Sequence, residues 1–305
     1  MRKLIPFAAT VVAALSLTAC SDPSAPEANE PTETGESGEV VEAFDPMTIE
    51  VVPDIADMVP ASVAERGQLR NGASTDYAPG EFRENGVPVG YDIQIVQALG
   101  QVMGLEGTTQ HAEFPTIIPA LGAKFDIGAS SFTINPERLE QVNMVSYLQV
   151  GSAFAVKTGN PSKFDPSDPC GSIIGVQNGT YQQVLAEEWS QQCEADGKEP
   201  ITVNPLDLQT DVTVKVVGGL WDATFADSPV IGYSVANSNG DLEQIGDVIE
   251  SEPQGIAIAK DDEQLTVAVQ AAMQYLMDEG YLEQILGNFG SEAIGLSKAE
   301  INPGQ

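Results

Sequence analysis

The chain is short of positive charge. Thirteen Lys and Arg stand against 45 Asp and Glu, a formal net charge of −32 over 305 residues. That shortage excludes nucleic acid as a partner, because a phosphate backbone demands Lys and Arg. It also argues against docking on an anionic lipid surface. The surplus acid bears on solubility and says little about a single buried pocket. Histidine is nearly missing, since His111 stands alone, and there are only three cysteines, Cys20, Cys170 and Cys193. Two Cys and one His would make an incomplete and scattered metal site, so no metal and no cofactor are expected. His111 reads as a surface or packing residue, and no catalytic residue is nominated. Long hydrophobic runs are missing too. The one apolar stretch, residues 4–17, is shorter than the ~20 residues of a transmembrane helix.

That stretch has a different meaning. Arg2 and Lys3 precede it and Leu17-Thr-Ala-Cys20 follows, the order of a secretory leader. The Leu-x-x-Cys ending resembles the lipobox of bacterial lipoproteins. The resemblance implies a signal peptide over residues 1–19, with Cys20 as the first mature residue and the carrier of lipid. The localisation expected is the extracytoplasmic face of the cell membrane, held there through the lipid anchor alone. Loss of Arg2 and Lys3 with the leader brings the side-chain charge to −34. Residues 21–46 hold eight acids, four prolines and no Lys or Arg. Such a stretch cannot bury enough apolar area to offset the entropy of ordering. Cys20 and the acidic linker, residues 20–47, therefore read as a tether. In an exported chain, the remaining pair Cys170 and Cys193 is expected to form a disulfide, worth roughly 3 kcal/mol by loop closure.

The rest alternates strands and helices, which gives an α/β class. Residues 53–66 read as a helical lead-in and Gln68 to Ser74 as a first strand. Ile95, Leu99, Val102 and Met103 recur on one helical face that Gly104 ends. Phe125 to Ala129 is a small-residue strand. Ser152 to Val156 begins a second block, in which Ile173 to Val176 leads into a helix from Tyr181 to about Cys193. Thr213 to Val217 and Ala223 to Ala226 are further short segments. Gly255 to Ala259 is a late strand, and Leu265, Val269, Ala272, Met273 and Leu276 share a face of the last long helix.

The chemistry concentrates in Asp126 to Arg138, Asp-Ile-Gly-Ala-Ser-Ser-Phe-Thr-Ile-Asn-Pro-Glu-Arg. A strand delivers Ser130, Ser131 and Thr133 at its carboxyl end, where open α/β sheets bind ligands. Arg138 follows, and a guanidinium can hold a carboxylate through two parallel hydrogen bonds. This stretch closely resembles family 3 of the bacterial solute-binding proteins, the amino-acid-binding group of ABC importers. Thr75 to Phe82, Gly90 to Ile95, Phe114 to Leu121, Gly175 to Thr180 and Asp222 to Asp227 resemble further marks of that family, in order. Together they cover residues 67–290.

The resemblance implies a type II periplasmic-binding-protein fold, two lobes each with a central sheet flanked by helices, joined by a two-strand hinge. Lobe 1 would comprise residues 48–151 and a return segment, 255–292; lobe 2 would comprise 152–254, and 293–305 would form a C-terminal tail. It also implies that Arg138 grips an amino acid's α-carboxylate, helped by N–H groups around Thr133 and at Gly179, Thr180 and Tyr181. Asp227 would pair with the α-ammonium, sharing that duty with Ser131 and Thr133. Tyr77 and Phe114 would pack against the ligand side chain.

There are departures. Glu81 stands where a Phe is often nearby, Gln94 replaces the second Asp of the Gly-Phe-Asp-Val-Asp signature, and Tyr181 replaces a Thr. Ser74 stands where relatives binding basic amino acids carry an acid, which speaks against a basic ligand. Glutamate is not favoured either, for want of a committed second cation, although Arg83, Lys124 and Lys215 are candidates. The function expected is a monomeric receptor that hands an amino acid to ABC permease subunits. The alternatives are a secreted dehydratase-like enzyme acting on an aromatic amino acid precursor and an extracellular sensor lobe.

Overall fold

The computed structural model describes residues 43–304. The leader, Cys20 and most of the acidic linker lie outside the described residues. The last linker residues do not hang free. Phe44 exchanges backbone hydrogen bonds with the Asn288 side chain at 2.9 and 2.8 Å and stacks on Tyr281. The folded body thus begins a few residues before 48.

Two short helices, α1 (Pro53–Ala56) and α2 (Ala61–Arg66), lead into β1 (Gln68–Ala73). The hairpin β2 (Phe82–Glu84) and β3 (Val87–Val89) precedes α3 (Tyr91–Val102), β4 (Glu106–His111) and α4 (Phe114–Ile117). Then come β5 (Ile127–Gly128), α5 (Pro136–Gln141) and the long β6 (Val142–Lys157). The second lobe adds β7 (Ile173–Gln177), α6 (Tyr181–Ala195), β8 (Thr202–Leu206), α7 (Gln209–Val217), β9 (Ala223–Asp227) and α8 (Ser228–Ala236). A second long strand, β10 (Leu242–Ala259), returns to α9 (Glu263–Asp278) and α10 (Tyr281–Gly287).

The main strands form one ladder in the order β4-β1-β5-β10-β6-β9-β7-β8. β6 and β10 run antiparallel to each other through both lobes, from Leu242 opposite Lys157 to Ala259 opposite Val142. They are the two-strand hinge, and the fold is the type II periplasmic-binding-protein arrangement. Only one end of each long strand stands out in the sequence. The far half of β10, with Gly246, Pro253 and mostly polar residues, has no alternation of its own. Its pairing is imposed by β6, at the cost of three register shifts between Ile245 and Gly255.

Each lobe has its own core. In lobe 1, the apolar face of α3 (Ile95, Leu99, Val102) packs with α9 and α10 against β1, β5 and β6. In lobe 2, Phe154, Phe225 and Trp189 stack together over Ile174 and Val176. The Cys170–Cys193 disulfide, Cα atoms 5.7 Å apart, staples α6 to the loop before β7. After α10 the chain pairs with β6: the Leu296 and Asn302 N–H groups donate to the Tyr147 and Met144 carbonyls. Among the described residues no helix is long and apolar enough to cross a membrane.

Candidate functional site

Local chemistry fixes each side of the site. Asn135 caps α5, its Oδ1 accepting from the Arg138 N–H at 2.9 Å, and Pro136 occupies the first helical position. Both are strong helix-start signals, and they set Arg138 on the first turn, facing lobe 2. The loop from Thr75 to Glu81 is pinned to the start of α3: the Tyr91 and Asp92 N–H groups donate to the Pro79 and Gly80 carbonyls. That approach needs glycine at position 90, where φ is +124° and a Cβ would lie 2.2 Å from the Gly80 carbonyl oxygen. The pinned loop carries Tyr77 and Glu81 inward. On the other lobe, β9 ends at Asp227 and α6 starts at Thr180.

These elements close between the lobes on a narrow cavity of about 10 Å³, lined by residues that include Tyr77, Glu81, Phe114, Thr133, Arg138 and Asp227. Ser131, Gln177, Thr180 and Gln182 complete the wall. Arg138 is 8% exposed and Asp227 is 4% exposed, so the two expected charges share one buried space. Arg138 donates to the Thr133 carbonyl at 2.6 Å and, across the cleft, to the Gly179 carbonyl at 3.2 Å. Its guanidinium lies 5.2 Å from the Phe132 ring centre and 5.5 Å from that of Phe114. A guanidinium has five N–H donors, so these two carbonyls leave donors for a carboxylate. Burial lowers the Arg138 pKa to about 10, against the pull of Asp227 and Glu137.

The anionic pole is built differently. Asp227 Oδ1 accepts from Gln182 and Oδ2 from Gln254, each at 2.7 Å, and its backbone N–H donates to the Tyr77 hydroxyl at 3.0 Å. Burial raises its pKa to about 6, although these partners and Arg138 favour the carboxylate. Glu81 is the second acid on the cavity wall. It accepts from Ser130 at 2.6 Å and from Ser131 at 3.1 Å. Burial first, and then the neighbouring Asp92, push the Glu81 carboxyl well above its ordinary range. Asp92 lies behind it, accepting from the Ser131 N–H and the Tyr147 hydroxyl, and burial raises it to about 6.

Of the expected site residues, Tyr77, Phe114, Ser131, Thr133, Arg138, Thr180 and Asp227 line the cavity. Ser130 sits one layer back, holding Glu81 and accepting from the Ser74 N–H. Gly179 and Tyr181 lie at a wider outer opening that shares Phe114, Arg138 and Thr180 with the cavity. Ser131 has φ of +51°, a strained conformation for a serine, which turns its N–H and hydroxyl toward Asp92 and Glu81. Reading the sequence missed Glu81, Gln177, Gln182 and Gln254 as parts of the site. In the sequence Glu81 stands out only as a departure from the family pattern. Ser74, whose lack of charge spoke against a basic ligand, is a contact between lobes, accepting from Gln177 at 3.1 Å.

A family model for bacterial extracellular solute-binding proteins, family 3, matches residues 69–292. The chain belongs to that family. It is 36% identical over 264 residues to the arginine-binding protein ArgT of Corynebacterium glutamicum, covering 86% of each chain. Among solved structures, an ancestral arginine-binding protein bound to arginine is similar with a TM-score of 0.66 and 28% identity, covering 74% of this chain and 99% of that one. The ancestral amino acid-binding protein AncCDT-1, a precursor of cyclohexadienyl dehydratase, has a TM-score of 0.67 and 28% identity, covering 75% and 97%. Membership and fold together favour the transport-receptor expectation over the dehydratase one: the protein is an extracellular solute-binding protein of amino-acid ABC importers.

Proposed function

We propose that the cavity clamps a basic L-amino acid, arginine foremost, and that the closed protein delivers it to an ABC permease. Arg138 takes the α-carboxylate in a two-point grip, with the Thr180 end of α6 adding N–H donors at a helix start. Asp227 takes the α-ammonium, with Ser131 and Thr133 beside it. Tyr77 and Phe114 flank the ligand's stem. The observation that carries the choice of side chain is the excess of buried acidic groups over cations. Among the described residues of the cavity wall there is one cation, Arg138, against the two acids Glu81 and Asp227, with Asp92 directly behind. A zwitterion with a neutral side chain would pair one charge of each sign and leave Asp92 without a cation and the Glu81 carboxyl held toward its protonated form. A guanidinium or ammonium at the ligand's far end offsets the Asp92 charge and favours ionisation of Glu81, giving the second acid a partner. The names of ArgT and of the arginine-bound ancestral structure agree with this choice.

The ligand enters and leaves unchanged, by hinge motion of the lobes. The mature chain is held at the outer face of the membrane by lipid on Cys20 and acts as a monomer. Calorimetry with L-arginine, L-lysine and L-glutamine tests the proposal, repeated on Glu81→Gln. Arginine should bind tightest to the wild type, and the substitution should lower its affinity about tenfold, the loss of one buried charge partner, with little effect on glutamine. Equal losses for both ligands would show that Glu81 supports the wall without reading the side chain. Incubation with a cyclic precursor of an aromatic amino acid separates binding from dehydratase chemistry, because a receptor leaves it unchanged.

A further inference from the structure

Helix α7, in lobe 2, lacks a cap of its own. Its N-cap residue is Leu208, which makes no side-chain capping bond. The first N–H groups of any helix have no partner within the helix, and an apolar N-cap residue leaves them to the surroundings. Here the acceptor comes from the other lobe. Asp76, in the lobe 1 loop beside Tyr77, accepts from the Thr210 N–H at 3.0 Å through Oδ2 and from the Thr210 hydroxyl at 2.8 Å through Oδ1. The carboxylate thus seats on the first turn of α7, where the helix dipole favours negative charge, although Asp211 on the same turn opposes it.

We infer that Asp76 is a positioning residue for ligand retention, capping α7 across the cleft and so latching the lobes together. This rests on the proposed reading that ligand is held by lobe closure. Asp76 does not line the cavity, so its contribution is to the closed arrangement and not to ligand contacts. Tyr77 next to it does line the cavity, and Tyr77 is tied to Asp227, so the latch and the cavity wall close as one loop. Leu208 is the other half of the device. Because α7 has no cap in its own sequence, its N–H groups gain their acceptor only when lobe 1 arrives.

Stopped-flow dissociation of L-arginine from full-length protein tests this. Asp76→Ala should speed dissociation about fivefold, the effect of one lost cap, with the association rate unchanged. Asp76→Asn, which keeps a capping oxygen, should recover most of it. Leu208→Asp, which supplies a cap within α7, should also speed dissociation, and adding it to Asp76→Ala should change nothing further. An unaltered dissociation rate in Asp76→Ala would overturn the latch, as would equal further loss from Leu208→Asp in that background. If the wild type fails to bind L-arginine, the proposed ligand is wrong and amide exchange at Thr210 decides the latch separately. Protection lost in Asp76→Ala supports it, and identical exchange in both proteins overturns it.

Discussion

Arg138 and Asp227 face the same cavity and are both buried, but the protein supports them in different ways. The guanidinium rests on two carbonyl oxygens and two aromatic faces, and burial brings it down to about 10. The carboxylate depends on two glutamine amides, Gln182 from its own lobe and Gln254 from the hinge strand, and burial brings it up to about 6. At neutral pH both are charged, the cation by about three pH units and the anion by about one. The cationic pole is therefore robust, and the anionic pole is the one that conditions and neighbours can switch.

The largest effect should come from removing the robust pole. Arg138→Ala should weaken amino-acid binding at least ~100-fold, since the ligand carboxylate is left buried without its partner; calorimetry checks this, and unchanged affinity would take Arg138 out of the site. Asp227→Asn should cost a similar ~100-fold for the α-ammonium. If only one of the two losses appears, the picture of opposed poles is broken.

Acidification should separate the poles more finely. A carboxylate must be ionised to hold an ammonium, so as pH falls through about 6 the affinity should drop, by up to ~10-fold per unit. Between pH 7 and pH 9 it should stay nearly flat, because Arg138 remains charged. Stability of the protein without ligand should run the other way. Asp227 and Asp92 are raised to about 6 from an ordinary value of 3.8. A carboxyl whose pKa is higher in the folded state binds its proton more tightly there, so these two contribute stability at low pH that is lost as pH rises through about 6. Melting temperatures should show the Asp227→Asn protein losing part of that rise on acidification. The smallest effect concerns one amide. Gln254→Leu should lower affinity at pH 7 by roughly threefold, less than the 1 kcal/mol of an ordinary hydrogen bond, and shift the midpoint of the affinity–pH curve upward. A change in affinity with no shift in midpoint would make Gln254 a packing residue only.

The two poles also differ in how readable they are. Arg138 follows a strand end, an Asn cap and a Pro at the first helical turn, all local signals. Asp227 ends a small-residue strand in a family-like segment. Glu81 is different. Its place on the cavity wall depends on the contact between the Gly80 carbonyl and Gly90, a close approach between loop and helix that no periodicity encodes. Gln182 and Gln254 reach Asp227 from 45 and 27 residues away, and an isolated glutamine has no pattern to betray it. The helices α3 and α9 were plain because their apolar faces are long and regular. The polar half of β10 was hidden because β6, and not its own composition, makes it a strand.

The account stands on a carboxylate meeting Arg138. Titration calorimetry of the wild type at pH 7.5 with L-arginine and with agmatine, the same molecule without its α-carboxylate, tests that most directly. Agmatine should bind at least ~100-fold more weakly. Equal affinity for the two would contradict it.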